Sequence, residues 1–352
     1  MESLEVAYKN RSVFLTGHTG FKGSWMALWL QQLGADVTGY SLAPNTSPNH
    51  WDALGLEMAS HFADIRDFDT LLIAMKKSAP EIVFHFAAQP LVGRSYKEPL
   101  ETWSTNVMGT ANVLQACQAI NSVKAIVIVT TDKVYQNKNQ TAGYKEDDCL
   151  GGHDPYSASK AACELVVSSY RNLPNSPLVA SARAGNVIGG GDWSQGRLIP
   201  DLMRSVEQNI PLVLRAAHST RPWQHVLDCL YGYLLLGEKL LKEDTSFAES
   251  WNFGPKDSCT VLDLVQTLKK NHPKLQWQNI PQKSYHEANM LSLNSEKSVK
   301  RLDWTPVWDT AKALTYTAQW YQKWNQEQIA ISLEQLNGYN ATRLKNHQLC
   351  NS

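Results

Sequence analysis

The chain has 352 residues and 43% of them are hydrophobic, which suits one large domain or two closely joined ones. Its 33 Lys and Arg residues equal its 33 Asp and Glu residues, so the composition excludes a global electrostatic attraction to nucleic acid or to an anionic membrane. A local basic pocket for a small phosphate ligand is still allowed.

Cysteine usage and hydropathy indicate a cytoplasmic protein. The six cysteines form no C-x-x-C pair and do not cluster with histidines, so we expect reduced thiols and no metal site. Residues 1–11 lack the apolar core of a signal peptide. The most apolar stretch, Leu227–Gly237, is shorter than the ~20 residues that a membrane-spanning helix needs.

The first half of the chain alternates β-branched runs with helical patterns. Strands are predicted at Ser12–Thr16, Asp36–Leu42, His61–Asp64, Ile82–Ala87, Ala125–Thr130 and Leu178–Ala184. Helices are predicted at Phe21–Leu33, where the helix is expected to be amphipathic, and at Pro99–Ile120 and Ser157–Asn172. Strands that are apolar on both faces and separated by helices are typical of a buried parallel sheet. We therefore predict an α/β fold with a doubly wound parallel sheet.

The second half is less regular. After about Asn186, Pro, Gly and Trp interrupt the pattern, as in substrate-binding loops that a rigid scaffold holds. The last residues are polar, and we expect a loosely ordered tail over 336–352.

A glycine-rich turn follows the first strand. Gly17, Gly20 and Gly23 form a G-x-x-G-x-x-G pattern between a strand and a helix, which predicts a dinucleotide site whose pyrophosphate lies at the helix N-terminus. The second strand ends in Tyr40-Ser41-Leu42, without the acidic residue that binds a ribose or an Arg that would meet a 2′-phosphate. The residues alone therefore leave NAD and NADP open.

A catalytic cluster is predicted beyond the strand that starts at Ala125. That strand runs into Thr131, Asp132 and Lys133, at the edge of the sheet where open α/β folds bind ligands. The next helix carries Tyr156 and Lys160, which share one face because they are four residues apart. A nearby ammonium group favours the phenolate form of a tyrosine, so Tyr156 can act as a base towards a sugar hydroxyl.

These motifs together resemble the extended short-chain dehydrogenase/reductase family. The resemblance covers about residues 10–325 and rests on the glycine turn, Tyr156, Lys160, Asn106 and four further segments: His85–Gln89, Arg183–Val187, Arg221–Val226 and Trp251–Pro255. Within the family, Gly17–Trp25 and Thr131-Asp132-Lys133 are similar to the 4,6-dehydratases that act on CDP-glucose. The dTDP-glucose enzymes have Glu where Lys133 stands.

The resemblance implies NAD as cofactor and CDP-glucose as substrate. Hydride would pass from sugar C4 to NAD, water would leave across C5 and C6, and hydride would return to C6, giving CDP-4-keto-6-deoxyglucose for bacterial deoxysugar synthesis. Tyr156 would be the base at the C4 hydroxyl, assisted by Lys160 and Thr131, and Asp132 would protonate the C6 hydroxyl. Lys133 leaves the C5 base open, since it can instead stabilise the enolate.

The resemblance also implies binding residues. The cofactor residues would be Gly17, His18, Gly20, Phe21, Gly23, Asp64, Ile65, Ala87, Gln89, Tyr156 and Lys160. The substrate residues would be Asn186, Arg197, Arg221, His225 and Glu287, with Arg221 at the pyrophosphate. For His18 and Lys22, contact with a ligand and a solvated position stay open, and His225 is equally compatible with a core position.

The same resemblance implies a homodimer and a division of the chain. Residues 1–185 with about 226–258 would bind NAD, and 186–225 with about 259–335 would form a smaller C-terminal substrate domain. The subunits would meet through the helices at 99–120 and 157–172, where Trp103, Leu114, Ala162 and Val166 fit an interface or a core equally well. Two alternative functions stay open: a nucleotide-sugar 4-epimerase and a non-catalytic dinucleotide sensor.

Overall fold

The computed structural model describes residues 4–255, 257–280 and 291–350. Its strands are β1 (Ser12–Thr16), β2 (Asp36–Ser41), β3 (Ala59–Phe62), β4 (Ile82–His85), β5 (Ala125–Val129), β6 (Leu178–Ala184), β7 (Asn186–Ile188), β8 (Leu212–Leu214), β9 (Thr220–Arg221), β10 (Trp223–His225), β11 (Ser250–Phe253), β12 (Cys259–Thr260) and β13 (Trp277–Asn279). Its α-helices are α1 (Leu4–Tyr8), α2 (Phe21–Gln32), α3 (His50–Leu54), α4 (Phe68–Ser78), α5 (Val92–Lys97), α6 (Pro99–Trp103), α7 (Gly109–Gln118), α8 (Pro155–Arg171), α9 (Leu198–Gln208), α10 (Val226–Leu241), α11 (Val261–Asn271), α12 (Glu296–Leu302), α13 (Thr310–Glu327) and α14 (Ser332–Cys350). A π-helical segment spans Ser104–Met108, and 3-10 turns span Asp132–Val134 and Thr245–Phe247.

A seven-stranded sheet in the order β11-β6-β5-β4-β1-β2-β3 forms the centre of the fold. Each neighbouring pair is parallel, which confirms the predicted doubly wound α/β architecture. The chain order reverses direction between β1 and β4, and open α/β sheets bind ligands beyond the carboxyl ends of the strands at such a point.

Side chains alternate across the sheet, so that its two faces have separate cores. Val13 and Leu15 belong to the core shared with α2 and α10, whereas Phe14 belongs to the core shared with α4, α7 and α8. This alternation follows from the period of two in a strand. Helices on both faces therefore hold the sheet rigid beneath the loops at its carboxyl edge.

The predicted elements have the right type and nearly the right limits. β3 begins and ends two residues earlier than predicted, and the predicted helix at 99–120 is observed as α6, the π-helical segment and α7 in succession. Among the described residues, no helix is long and apolar enough to cross a membrane.

The helix after the glycine turn is not amphipathic. Residues 23–30 of α2 are all buried, because α3, α10 and α14 pack around the helix in addition to the sheet. The expectation of an amphipathic helix is therefore wrong, and the helix that carries the glycine turn lies inside the protein.

The expectation of a loosely ordered tail is also wrong as far as residue 350. α14 covers this part of the chain, and its Leu336 and Tyr339 side chains are fully buried. The Tyr339 hydroxyl donates a hydrogen bond to Oδ1 of Asp228 at 2.8 Å. One buried face thus fixes a helix whose composition is largely polar.

Candidate active site

The glycine turn is compact and leaves room for a ligand backbone. Gly17 has a φ of +74°, and its carbonyl oxygen accepts a hydrogen bond from the Gly20 N–H at 3.0 Å. A Cβ atom on Gly23 would lie 2.0 Å from that same oxygen, so no other side chain fits there. Gly20 precedes α2 and caps it with no side chain, so the first amides of the helix are available to an anion.

The other predicted cofactor residues follow β3 and β4 along the same carboxyl edge of the sheet. Asp64 lies after β3, where the Arg66 guanidinium holds the pKa of its carboxyl below the usual value. Ile65 is buried beside Gly109, and Ala87 follows β4 next to Gly17. The Gln89 side chain is bonded within the protein, since its amide nitrogen donates to the Thr102 hydroxyl at 2.9 Å. This side chain therefore stabilises the turn that follows β4.

The structure separates the two unusual residues of the glycine turn. The His18 ring is fully buried and packs edge-to-face on Trp51 with ring centroids 4.7 Å apart; burial lowers its pKa to about 4. Lys22 instead lines a cavity beside the ends of β5 and β6. Burial lowers the pKa of this lysine. Of the two, only Lys22 can contact a ligand in that cavity. Phe21 packs near Gly189.

A cavity of about 760 Å³ opens beside the ends of β5 and β6. Cations outnumber carboxylates on its described walls. The cations are Lys22, Arg94, Lys97, Lys133, Arg197, Arg215 and Arg221, and the carboxylates are Glu98, Asp132, Asp192 and Asp201. The cavity therefore suits an anionic ligand although the whole chain has no net charge.

Tyr156 and Thr131 meet at the inner end of this cavity. Asp154 caps α8 by accepting a hydrogen bond from the Ser157 N–H at 2.9 Å, which fixes the start of the helix just before Tyr156. Tyr156 and Thr131 both line the cavity. Burial raises the pKa of Tyr156 to about 12, while the side chain of Thr131 and the charge of Arg197 oppose the rise.

Lys160 lies one helical turn further along α8 on the same face. Its Nζ atom donates a hydrogen bond to the backbone carbonyl oxygen of Val129 at 3.2 Å. Its side chain is buried, and burial lowers its pKa. The predicted pair of Tyr156 and Lys160 is therefore present at the carboxyl end of β5.

Asp132 has the environment of a proton donor. Its Oδ1 atom accepts a hydrogen bond from the Thr131 hydroxyl at 2.9 Å, while its buried Oδ2 atom has no hydrogen-bond partner among the described residues. Burial raises the pKa of this carboxyl, and the charge of Lys133 opposes the rise. A Cβ atom on Gly185 would lie 3.2 Å from Oδ2, so the glycine leaves space beside the carboxyl. Lys133 is half-buried and faces the same cavity.

The predicted substrate residues divide into two groups. Asn186, Arg197 and Arg221 line the cavity. His225 does not line it, because its ring is fully buried with its centroid 4.7 Å from that of Trp308, and it is thus a core residue. Glu287 lies outside the described residues.

Sequence reasoning missed Asp192 as a site residue. This carboxylate accepts a hydrogen bond from Nη1 of Arg197 at 3.0 Å and lines the same cavity. Its backbone carbonyl oxygen accepts a hydrogen bond from Tyr321. The available signal was an acidic residue directly after Gly189-Gly190-Gly191 and five residues before an arginine.

No group of His, Cys, Asp or Glu side chains within the described part of the chain could hold a metal ion. Parallel strands, a glycine turn and a Tyr–Lys pair beside an anion-binding cavity define an extended short-chain dehydrogenase/reductase.

Comparison with known proteins agrees with this class. Residues 13–254 match the model of the NAD dependent epimerase/dehydratase family, and the chain belongs to that family. It is 42% identical to a CDP-glucose 4,6-dehydratase of Salmonella typhimurium, over 94% of this chain and 97% of that protein. It is 26% identical to a UDP-glucose 4-epimerase of Halalkalibacterium halodurans, over 89% of this chain and 96% of that one.

Solved structures show the same fold. The epimerase Mth375 of Methanothermobacter thermautotrophicus superimposes with a TM-score of 0.83 at 23% identity, over 92% of this chain and 96% of that chain. The dTDP-glucose 4,6-dehydratase DesIV of Streptomyces venezuelae, solved with NAD bound, superimposes with a TM-score of 0.77 at 25% identity, over 88% of this chain and 97% of that chain.

Proposed function

We propose that this chain is an NAD-dependent hydro-lyase that converts CDP-glucose to CDP-4-keto-6-deoxyglucose and water. The observation that carries the proposal is the Asp132 carboxyl, which is buried beside Thr131 with one oxygen free of hydrogen bonds among the described residues and with a raised pKa. An acid at this position serves the loss of a hydroxyl group. A 4-epimerase needs Tyr156 and Lys160 but no such acid.

The glycine turn fits NAD, since its backbone leaves no room for a side chain at Gly23 and directs the N-terminus of α2 towards a pyrophosphate. Asp64 and Ala87 follow β3 and β4 on the same edge, where the adenosine half would lie. Bound NAD supplies a reversible hydride acceptor for the sugar carbons. We assign this role to residues 1–185 with about 226–258, and substrate binding to 186–225 with about 259–335.

Tyr156 begins the reaction by accepting the proton of the C4 hydroxyl as hydride leaves the same carbon. Thr131 holds that hydroxyl, because it lines the cavity together with Tyr156. A protonated Lys160 favours the phenolate electrostatically. Arg197 adds a second positive charge that lowers the pKa of Tyr156.

Asp132 donates its proton to the C6 hydroxyl, which leaves as water when the C5 proton is removed; the hydride taken from C4 then returns to C6 and C5 regains a proton, which gives the 4-keto-6-deoxy sugar. A carboxyl with a raised pKa retains that proton nearer neutrality than an exposed one does. Lys133 faces the cavity from the next position, where it either takes the C5 proton or stabilises the enolate by its charge.

We assign Arg197 and Arg221 to the pyrophosphate of the substrate, because one guanidinium group can donate two parallel hydrogen bonds to phosphate oxygens. The excess of cations around the cavity supports a ligand with at least two negative charges. The CDP moiety itself is assigned from the 42% identity to the Salmonella typhimurium enzyme.

The test is mass spectrometry of CDP-, dTDP-, UDP- and GDP-glucose after incubation with purified protein and NAD. We expect CDP-glucose to lose the mass of one water without net accumulation of reduced cofactor. Loss of water from another nucleotide sugar instead would overturn the substrate. Unchanged mass in every sample with folded, NAD-loaded protein would overturn the dehydratase, and a changed sugar configuration would then identify an epimerase.

We further propose a homodimer formed through α6, the π-helical segment and α8. Exposed apolar side chains on these packed elements include Leu100, Trp103, Met108 and Leu165, which are 83%, 39%, 58% and 64% exposed. Leu114, by contrast, belongs to the core beneath the sheet. Sedimentation of the wild type and of Leu165→Glu tests this: the wild type should sediment as a dimer and the variant as a monomer, and a monomeric wild type would contradict the proposal.

We also propose a cytoplasmic location. Five of the six cysteines, Cys117, Cys149, Cys163, Cys229 and Cys259, are free of disulfide bonds, as is usual in a reducing compartment. The test is cell fractionation, and we expect the NAD-dependent dehydratase activity in the cytosolic fraction.

A further inference from the structure

Three side chains of α8 contact the end of β5. Tyr156, Lys160 and Glu164 are spaced by four residues and therefore share one helix face. Tyr156 lines the same cavity as Thr131, and Lys160 donates to the carbonyl oxygen of Val129 at 3.2 Å. Glu164 contacts Thr130, which lies between Val129 and Thr131 in the chain.

Glu164 attaches to the strand through Thr130. The Thr130 hydroxyl donates to Oε1 of Glu164 at 2.5 Å, directly before the catalytic Thr131 in the chain. The helix is thus hydrogen-bonded to two consecutive residues of the strand end, Val129 and Thr130. A shift of Glu164 would move Thr130, and with it the hydroxyl of Thr131.

The second oxygen of Glu164 is also fully engaged. Its Oε2 atom accepts hydrogen bonds from Oγ of Ser181 at 2.7 Å and from Nη2 of Arg183 at 2.8 Å, and from Oγ of Ser250 at 3.2 Å. Burial alone would raise the pKa of Glu164, but Arg183 and the hydroxyl donors lower it to about 2. Glu164 is therefore an anion throughout the range in which the protein works.

This anion lies next to a buried cation that burial tends to neutralise. Burial is the main cause that lowers the pKa of Lys160, and the charge of Lys22 lowers it further. Cys163 and Glu164 act in the opposite direction. His85 also faces Lys160, and burial lowers the pKa of this histidine to about 3, so it is neutral. Glu164 is thus the permanent negative charge beside Lys160.

We propose that Glu164 is a positioning residue, which holds the Thr130–Thr131 strand end and keeps Lys160 protonated. Its effect on turnover rests on the proposed dehydratase function. Its effect on Lys160 does not, because it concerns the protein without substrate or cofactor. The two parts can therefore be tested separately.

The direct test is the titration of Lys160 in the protein labelled with carbon-13 at the lysine ε-carbon, measured by NMR and assigned with Lys160→Arg. We expect Glu164→Gln to lower the pKa of Lys160 by about one unit, since a single charge at short range through protein has this effect. Glu164→Asp keeps the charge, and Ser181→Ala removes only a donor to the carboxylate. Both should leave the titration where it is in the wild type.

Turnover supplies the second readout. The loss of kcat at alkaline pH should move to lower pH in Glu164→Gln by the same shift as the Lys160 titration. An unchanged Lys160 titration, with kcat reduced equally at every pH, would reduce Glu164 to a merely structural residue. If Glu164→Gln does not fold, the double variant Glu164→Gln/Arg183→Gln removes both charges of the buried pair, which proteins often tolerate. It should shift the Lys160 titration in the same direction by a smaller amount, because the loss of the Arg183 charge acts against the loss of the Glu164 charge. A wild type without product would overturn the dehydratase alone.

Discussion

Replacing Asp228 with asparagine should remove a pH dependence of stability from the fold. Oδ1 of Asp228 accepts hydrogen bonds from the Val307 N–H at 2.6 Å and from the Tyr339 hydroxyl at 2.8 Å. Its Oδ2 atom is buried and has no hydrogen-bond partner in the described part of the chain. Burial raises the pKa of this carboxyl from 3.8 to about 7, against the lowering effect of the Val307 and Tyr339 donors.

The sign of the effect follows from proton binding. Between about pH 4 and pH 7 the folded protein keeps a proton on Asp228 that the unfolded chain has lost, so the stability contributed by this group falls as the pH rises through that window. The difference of about three pKa units corresponds to ~4 kcal/mol in all, of which ~2–3 kcal/mol is lost between pH 5 and pH 8. An asparagine cannot ionise, so the free energy of unfolding of the Asp228→Asn variant lacks this pH-dependent contribution.

The assay is urea unfolding followed by tryptophan fluorescence at several pH values. We expect the free energy of unfolding of Asp228→Asn to rise relative to the wild type by ~2–3 kcal/mol from pH 5 to pH 8. Glu334→Gln removes an exposed carboxylate from α14 and serves as the matched control, with no such trend. A constant difference between Asp228→Asn and the wild type at all pH values would refute the reasoning.

Three further predictions concern the site and its scaffold. Tyr156→Phe should lower kcat by about 10²–10⁴-fold while calorimetry shows CDP binding as in the wild type; a smaller loss would remove Tyr156 as the base. Asp132→Asn should oxidise CDP-glucose at C4 without releasing water, so the absorbance of reduced nicotinamide should rise. Formation of product at the wild-type rate would exclude Asp132 as the acid. Gly23→Ala places a Cβ 2.0 Å from the Gly17 oxygen and should abolish NAD binding in a fluorescence titration. Gly338→Ala is the control, because its Cβ meets nothing within 4 Å. This variant should bind NAD normally and gain about 0.5–1 kcal/mol of stability.

Features set by local chain geometry could be predicted from the sequence. The turn at Gly17 needs a positive φ and the close packing at Gly23 needs a missing side chain, and both requirements are visible as glycines. The pairing of Tyr156 with Lys160 follows from helical periodicity. The position of Thr131 follows from the end of an apolar strand.

Features set by distant packing could not be predicted in this way. His18 and Lys22 belong to the same turn, yet one ring packs on Trp51 and the other side chain enters the cavity. His225 lies in a motif that implies a substrate contact, but Trp308 from a later segment encloses it. α14 has a polar composition, and its buried face, which includes Leu336 and Tyr339, is revealed by packing against the rest of the chain.

The fold alone does not distinguish the candidate reactions, because an epimerase superimposes on this chain with a TM-score of 0.83. The distinction depends on a few side chains placed on a shared scaffold. β5 delivers Thr131, Asp132 and Lys133 together, and Gly185 leaves space beside the Asp132 carboxyl. On the proposed mechanism, this strand end serves both the oxidation at C4 and the elimination across C5 and C6, since it carries a hydroxyl and a carboxyl with a raised pKa. A 4-epimerase would not need that carboxyl, so the Asp132→Asn variant separates the two candidate reactions.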